Sequence, residues 1–436
     1  MTPLRRLADR LRHPARYRHL AQLLPALRWS RAELLARRQA AFEDLVRFAA
    51  GHSDYYAERL AGLVGSNPRR IDPASLPVLT KADLNAHRDA ILVRGPTRSR
   101  ARLGHTGGST GEPTGFYYDD DKHELMLAGM MRGFMLSGWR PGERVLYLWG
   151  APRDLGGSGV FARAGEGWLG VERAIPALEF SPRRLDEWLA VLRRWRPRLL
   201  YGYASALDWL ASSLLERGID PGLDLHGVYS TAEVLDPAQR ERIGRAFGCR
   251  VFNQYGCREV PNIAWECRAG NMHVFADRVL LESVPDGNGH RLLATSLSDR
   301  LMPFIRYDTG DSGEILEDAC PCGLDFPLLR MDVCRQNDLV RLPGGRLIHP
   351  AWFNRQLYGI AGIERYQWRQ TGPTSLALDL VAATPLAEHL VADLRARVAR
   401  ELGPAIQLEI NYRAEIARTA AGKHRFVIGW NAPGPV

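Results

Sequence analysis

The sequence predicts an α/β fold with a large N-terminal unit, residues 1–334, and a small α+β unit, residues 335–436. Three observations predict it. Apolar residues recur at helical spacing up to about residue 75; short β-rich runs then alternate with helical stretches to about 330; and the pattern restarts after "CRQNDLVRLPGGRLIHP".

The helical lead, 1–75, rests on "RAELLARRQAAFEDLVRFAAGH", with apolar residues three and four apart, before "NPRRIDPASLP" breaks the pattern. Its first forty residues are rich in arginine and are expected to form helix packed on its own domain rather than a membrane anchor. They lack an apolar signal core with a cleavage site, so no secretory segment is read there. Further along, "ERVLYLW", "HGVYST", "CRVFNQYG" and "RLLATSL" read as strands, and "SPRRLDEWLAVLRRW" and "DPAQRERIGRAFG" as helices. Such alternation gives parallel or mixed sheets. In the last hundred residues, "PLAEHLVADLRARVARELG" reads as a helix and "QLEINYRAEI" and "HRFVIGW" as strands.

At 436 residues and 45% hydrophobic, the chain has material for more than one core. No apolar run approaches the roughly 20 residues that span a bilayer. The net charge of +9 comes from arginines spread along the chain among 49 acidic residues, so no nucleic-acid partner is expected. Six cysteines, between 249 and 334, lack disulfide-scaffold spacing; a reducing cytoplasm and a metal site suit them better.

The chemistry concentrates in a few stretches. "GHTGGSTGEPTGF", residues 104–116, interleaves glycine with threonine and serine, so its backbone N–H groups and hydroxyls can wrap phosphate oxygens, although an ordinary flexible turn has the same composition. Glu112 and Pro113 stand where a P-loop needs lysine and a hydroxyl. "NQYGCREV" sets an aromatic, a glycine and Glu259 at fixed spacing, and "RYDTGD" ends on Asp311 after a Thr-Gly turn. Alone, Glu259 reads equally as a solvated carboxylate and Asp311 as a turn former or cap. "ECRAGNMH" and "CPCG" supply Cys267, His273, Cys320 and Cys322, soft ligands for a tetrahedral Zn²⁺, against free thiols and a surface histidine. Lys423 is one of three lysines, with Lys81 and Lys122, among 58 basic residues. A compact ammonium on a flexible stem does what an arginine fork cannot.

The order of these stretches resembles the adenylate-forming enzymes, specifically the phenylacetate–CoA ligase and CapK-like branch. The resemblance runs from "SLPVLTKADL" through "GGSTGEPTG", "YGYASAL", "STAEVL", "YGCRE" and "MPFIRYDTGD" to the Lys423 segment. It implies that Thr106, Gly107, Gly108, Ser109, Thr110 and Gly111 hold the β- and γ-phosphates of ATP. Adenine would lie against Tyr255 and Gly256 near the Ala232–Glu233 turn, Glu259 would help hold Mg²⁺, and Asp311 would accept from the ribose hydroxyls. Arg335 matches the residue after which such enzymes hinge, with Asn337 and Asp338 where a charged hinge residue is usual. Lys423, on a mobile small domain, would reach the reacting carboxylate and α-phosphate only in the first half-reaction. In "YGCRE" a cysteine replaces a more usual small hydroxyl residue, and Cys257 is read as packing rather than reactive.

The implied function is ATP-dependent activation of a carboxylic acid through an acyl-AMP, with transfer to CoA. Alternatives are transfer to an amine, sugar or carrier-protein thiol, CapK-like, and a non-catalytic nucleotide-binding or membrane-associated factor. The expected partners are a small carboxylic acid, CoA or another acyl acceptor, and a second copy of the chain. Trp149, Tyr203 and His105 suggest a pocket that accepts an aromatic acid, though aromatics at such positions are more often core.

Overall fold

A computed structural model describes residues 2–65, 70–105, 115–149, 169–177, 179–233, 235, 237–285, 290–331, 340–348, 352–353, 356–357, 360, 362–416 and 426–430. The expected helical lead is present as Thr2–Arg12, Pro14–Leu23, Arg31–His52 and Asp54–Gly65. Local capping fixes where these helices begin. The Ser30 hydroxyl accepts from the Glu33 N–H, and Thr80 and Asp83 form a reciprocal capping box at the start of Lys81–Ile91.

The larger unit is built on an 11-stranded mixed sheet. Its parallel half runs Glu172–Pro176, Val145–Trp149, Leu199–Tyr203, Gly227–Thr231 and Val251–Tyr255 in spatial order. Helices Pro182–Trp195, Ala204–Glu216 and Pro237–Phe247 bury Leu189, Leu207 and Ile243 in one cluster with Leu146, Leu200 and Val228 of those strands. On the other face Phe134 of helix Asp120–Met135 packs edge to face on Trp265 and Tyr201. Gly133 permits the approach, since a Cβ there would sit 2.2 Å from the Trp265 ring. From Val251–Tyr255 outward the pairing turns antiparallel, through Ala264–Glu266, Met272–Val274, Leu328–Met331, Tyr307–Leu316, His290–Ser296 and Val279–Pro285.

A separate four-stranded sheet forms the C-terminal unit, in the order Gln407–Tyr412, Ser375–Ala382, Ile363–Gly372, Val427–Ile428. Helix Glu388–Leu402 buries Leu394 and Val398 in a cluster with Trp368 and Leu378 of that sheet. The boundary expected at 335 lies outside the described residues. Just after it, Leu347–Ile348 pairs with Val340–Arg341 and with Glu179–Phe180 of the larger unit. Arg346 donates both to Glu179 (3.1 Å) and to the Leu402 carbonyl (2.9 Å), so one side chain holds the two units together.

The Arg-rich start divides. His13, Arg16, Tyr17, Leu20 and Leu23 are buried as expected, with Arg16 ion-paired to Glu124 and Glu172. Thr2–Arg12 packs on its own domain through one side, where Asp9 takes the Tyr17 hydroxyl and Gly142 closely approaches Thr2 and Arg6, while Leu4, Leu7 and Leu11 on the other side are exposed. Among its residues only Asp9 is buried. Among the described residues no helix is long and apolar enough to cross a membrane.

Candidate active site

Ligands of open α/β sheets gather beyond the carboxyl ends of parallel strands. Here the C-terminal ends of three neighbouring strands carry Tyr203, Thr231 and Tyr255. A cavity of about 450 Å³ opens there, walled by Met126, Met130, Trp149, Tyr201 and Tyr203, with the backbone of Gly256 at one side. Trp149 stacks on Tyr201 with ring centroids 5.8 Å apart. The aromatic wall expected from Trp149, Tyr203 and His105 is therefore a cavity surface, and His105 also lines it.

Ala232 follows Thr231 with φ 65°, a left-handed conformation that costs a non-glycine residue about 1 kcal/mol or more. Ala232 itself lines the cavity. The Glu233 carboxylate accepts from the Ser205 N–H at 2.8 Å, at the first turn of helix Ala204–Glu216, where the macrodipole favours an anion. At Gly256 a Cβ would lie 2.9 Å from the Asn262 nitrogen, so glycine is required by the close approach.

Tyr255 and Asp311 meet although 56 residues separate them. The Tyr255 hydroxyl lies 3.2 Å from both Thr309 Oγ1 and the Asp311 carboxylate. Gly310, at φ 73°, sits in a bulge of strand Tyr307–Leu316 beside Asp311, and its N–H is held by Asp308 at 2.9 Å, where the sequence suggests a tight turn. Glu259 is buried, with one carboxylate oxygen accepting from the Tyr307 hydroxyl at 2.5 Å. Its second oxygen has no protein partner among the described residues. Lys122 donates to the Glu259 carbonyl at 3.0 Å and ion-pairs with buried Asp299, between the rings of Phe116 and Phe304. Burial pushes the Cys257 thiol well above its usual range, with Glu259 adding to the effect. Its sulfur also takes the Val260 N–H at 3.3 Å, so the packing reading suits it.

Sequence reasoning missed Lys122, Tyr307, Thr231, Tyr201 and Gln254. A signal for Lys122 was available, because the rarity of lysine that drew notice to Lys423 applies to it equally. Gln254 gave none. Its amide oxygen accepts from Thr231 Oγ1 at 2.5 Å and from the Tyr201 hydroxyl at 3.1 Å. A 2.5 Å contact is an O–H···O distance, too short for N–H···O, so the oxygen faces the hydroxyls and the NH₂ faces the cavity. Among the described residues that NH₂ has no acceptor.

The hairpin strands Arg102–His105 and Gly115–Tyr118 pair antiparallel, and Gly104, His105, Phe116 and Tyr118 reach the cavity. The expected phosphate residues between them, Thr106, Gly107, Gly108, Ser109, Thr110 and Gly111, lie outside the described residues. So do Arg335, Asn337, Asp338 and Lys423.

The sulfur and imidazole ligands converge as a second site. Strand Met272–Val274 pairs with Ala264–Glu266 on one side and Leu328–Met331 on the other, which brings two sequence-distant pairs together at neighbouring interior strands. The ligand atoms of Cys267, His273, Cys320 and Cys322 all lie within 4.8 Å of one another. Cys267 and Cys320 sulfurs are 3.7 Å apart, close to the ~3.8 Å between two thiolates on one tetrahedral zinc with Zn–S bonds of ~2.3 Å. Burial pushes His273 down to about 4, leaving its imidazole neutral near pH 7 as a ligand must be.

Solved structures and curated proteins resemble this chain over most of its length. A 2-hydroxyisobutyryl-CoA ligase in complex with 2-HIB-AMP and CoA superposes with a TM-score of 0.61 at 22% identity, covering 91% of this chain and 88% of that one. The fold is that of the adenylate-forming enzymes. Curated proteins named phenylacetate-coenzyme A ligase and CapK are similar to it in sequence. Phenylacetate-coenzyme A ligase of Thermus thermophilus is 25% identical, covering 91% of this chain and 97% of the relative. The Pseudomonas putida protein of the same name is 25% identical over 90% and 92%. Protein CapK of Staphylococcus aureus is 22% identical over 89% and 87%. No family model matches the chain.

Proposed function

We propose that this protein is an AMP-forming acid–thiol ligase: it joins a carboxylic acid to ATP as an acyl-AMP and passes the acyl group to CoA. The observation that carries the reading is the Tyr255–Asp311 contact, which holds an aromatic side chain beside a half-buried carboxylate, an acceptor suited to ribose hydroxyls; neither residue lines the cavity itself. In the first half-reaction a carboxylate oxygen of the acid attacks the α-phosphorus of ATP and the bond to pyrophosphate breaks. In the second the CoA thiol attacks the acyl carbon, the bond to AMP breaks, and the thiol proton leaves to solvent.

The residues divide the work by chemistry. Asp311 accepts from the ribose hydroxyls, Tyr255 and Gly256 take the adenine, and the Ala232–Glu233 turn lies over it. Residues 106–111 wrap the β- and γ-phosphates. The free oxygen of Glu259 suits Mg²⁺, which prefers one or two protein carboxylates together with substrate phosphates and would offset their charge. Lys423 supplies positive charge to the reacting carboxylate and α-phosphate in the first step, and the unit that carries it turns about Arg335 before the second. Cys267, His273, Cys320 and Cys322 hold a structural Zn²⁺, and thiols in that role suit a reducing cytoplasm.

The acid enters the cavity walled by Met126, Met130, Trp149 and Tyr203. Gln254 sets its specificity: the fixed NH₂ selects an acid whose tail carries a hydrogen-bond acceptor. An apolar tail would leave that donor dry, at a cost of about 1–3 kcal/mol. Relationship to CapK supports a second reading, in which the same acyl-AMP goes to an amine, sugar or carrier-protein thiol. Purified protein incubated with ATP, Mg²⁺ and a panel of aryl, fatty and oxo acids tests both. Release of AMP with a CoA thioester supports the first reading. Acid-dependent pyrophosphate release with a hydroxamate from hydroxylamine, but no thioester, supports the second, and no acid-dependent release from any acid overturns both.

A further inference from the structure

The helix Thr2–Arg12 turns its apolar side away from the protein. Leu4, Leu7 and Leu11 are 57%, 55% and 73% exposed, three of the six large apolar side chains that stand exposed among the described residues. At about 100° per residue the three leucines fall within an arc of about 60°, with Asp9 on the far side. Asp9 faces inward, where its carboxylate accepts from the Tyr17 hydroxyl at 2.9 Å. Arg10 and Arg12 flank the leucine stripe on its two sides, about 90° and about 110° from its centre, while Arg5 and Arg6 lie about 130° away, nearer the side of Asp9.

This is the layout of a helix lying in a lipid–water interface, with leucines down and arginine stems reaching sideways to phosphates. The charge fits one kind of partner. Arg18 and Arg28 add exposed cations nearby, and buried Asp9 is the sole acid among residues 1–29. The size disfavours a protein partner. Eleven residues make a face about 16 Å long and about 10 Å wide, far below the ~800 Å² per side of a stable dimer.

We propose that the Thr2–Arg12 helix docks the protein on anionic lipid surfaces, with Leu4, Leu7 and Leu11 in the outer acyl region and the flanking arginines on headgroup phosphates. Attachment through one short helix is weak and reversible, and it falls as salt screens the arginines. It does not depend on the proposed activity, since the helix carries no residue assigned to the active site.

The test is flotation of the full chain with vesicles of phosphatidylcholine alone and of phosphatidylcholine with phosphatidylglycerol. The chain should float with the anionic vesicles and stay down with the neutral ones, and binding should weaken as salt rises. A Leu4→Gln/Leu7→Gln/Leu11→Gln variant should lose at least about tenfold in binding, as should Arg10→Ala/Arg12→Ala. All five side chains are exposed, so thermal melting of both variants should match the parent. Hydrogen exchange should slow over residues 2–12 when anionic vesicles are added. Failure to float, equal floating of the leucine variant, or unchanged exchange over 2–12 would overturn the proposal. Leucine-dependent self-association in ultracentrifugation without lipid would also overturn it, by assigning the face to a second copy.

Discussion

The Tyr307 hydroxyl donates to one carboxylate oxygen of Glu259 at 2.5 Å, and the other oxygen has no protein partner among the described residues. A carboxylate clamped on one side is oriented on the other. If that free oxygen serves Mg²⁺, Tyr307→Phe should loosen its aim without removing the ligand. A hydrogen bond to a charged group is worth about 1.5–3 kcal/mol, so we expect the Mg²⁺ concentration for half-maximal pyrophosphate release to rise about tenfold or more. The rate at saturating Mg²⁺ should fall much less. Measured Mg²⁺ titrations that superpose for parent and variant would remove Tyr307 from this role.

Gln254 makes a prediction about preference rather than rate. Comparing 4-oxo-4-phenylbutanoate with 4-phenylbutanoate, and further acids with a carbonyl at successive positions, the parent should favour the best-placed oxo acid by about 5- to 100-fold in kcat/KM. Gln254→Leu should bring that ratio near one. Gln254→Glu keeps the oxygen that faces Tyr201 and Thr231 but replaces the donor with an acceptor, so it should invert the preference. Equal use of oxo and methylene acids by the parent would refute the assignment while leaving the ligase reading standing.

One zinc per chain is expected at the Cys267, His273, Cys320 and Cys322 cluster, measured by elemental analysis of protein purified without chelator. Metal binding is linked to folding, so Cys267→Ser should release the metal and lower the melting temperature by several degrees. A melting temperature indifferent to both chelator and this substitution would leave the cluster without a metal.

Asp9 predicts a pH effect. Burial pushes its carboxyl up to about 6 from an ordinary value near 4, with Glu172 adding and Arg16 opposing. Between those values the folded state holds more protons than the unfolded state, so this group's contribution to stability falls as pH rises from about 4 to about 6. Asp9→Asn removes the cost of the buried charge and keeps an acceptor for Tyr17. It should stabilise the protein at pH 7 by on the order of 1–3 kcal/mol and change little near pH 4. Chemical denaturation at both pH values is the check.

Particular elements show how far the sequence could be read. The parallel half of the sheet was legible because "ERVLYLW", "HGVYST" and "CRVFNQYG" carry β-branched and aromatic residues and alternate with amphipathic helices. Tyr255 and Asp311 were legible as types, and the fold sets them side by side across 56 residues. The metal cluster was legible as ligands, but its closure depends on Met272–Val274 pairing with Leu328–Met331, a tertiary register that local spacing does not encode. Gln254 was illegible because its role comes from two hydroxyls on neighbouring strands. The exposure of Leu4, Leu7 and Leu11 was not legible, because the same helical spacing serves a buried face and an exposed one.

The most direct test is acid-dependent exchange of labelled pyrophosphate into ATP, read for the parent protein, Asp311→Ala and Lys423→Ala, each also supplied with synthetic acyl-AMP and CoA. The account predicts that exchange in the parent needs both a carboxylic acid and Mg²⁺, and that Asp311→Ala raises the ATP requirement. It predicts that Lys423→Ala loses about 100-fold or more in exchange yet still makes acyl-CoA from acyl-AMP. Exchange without any acid, or equal losses of Lys423→Ala in both half-reactions, would contradict it.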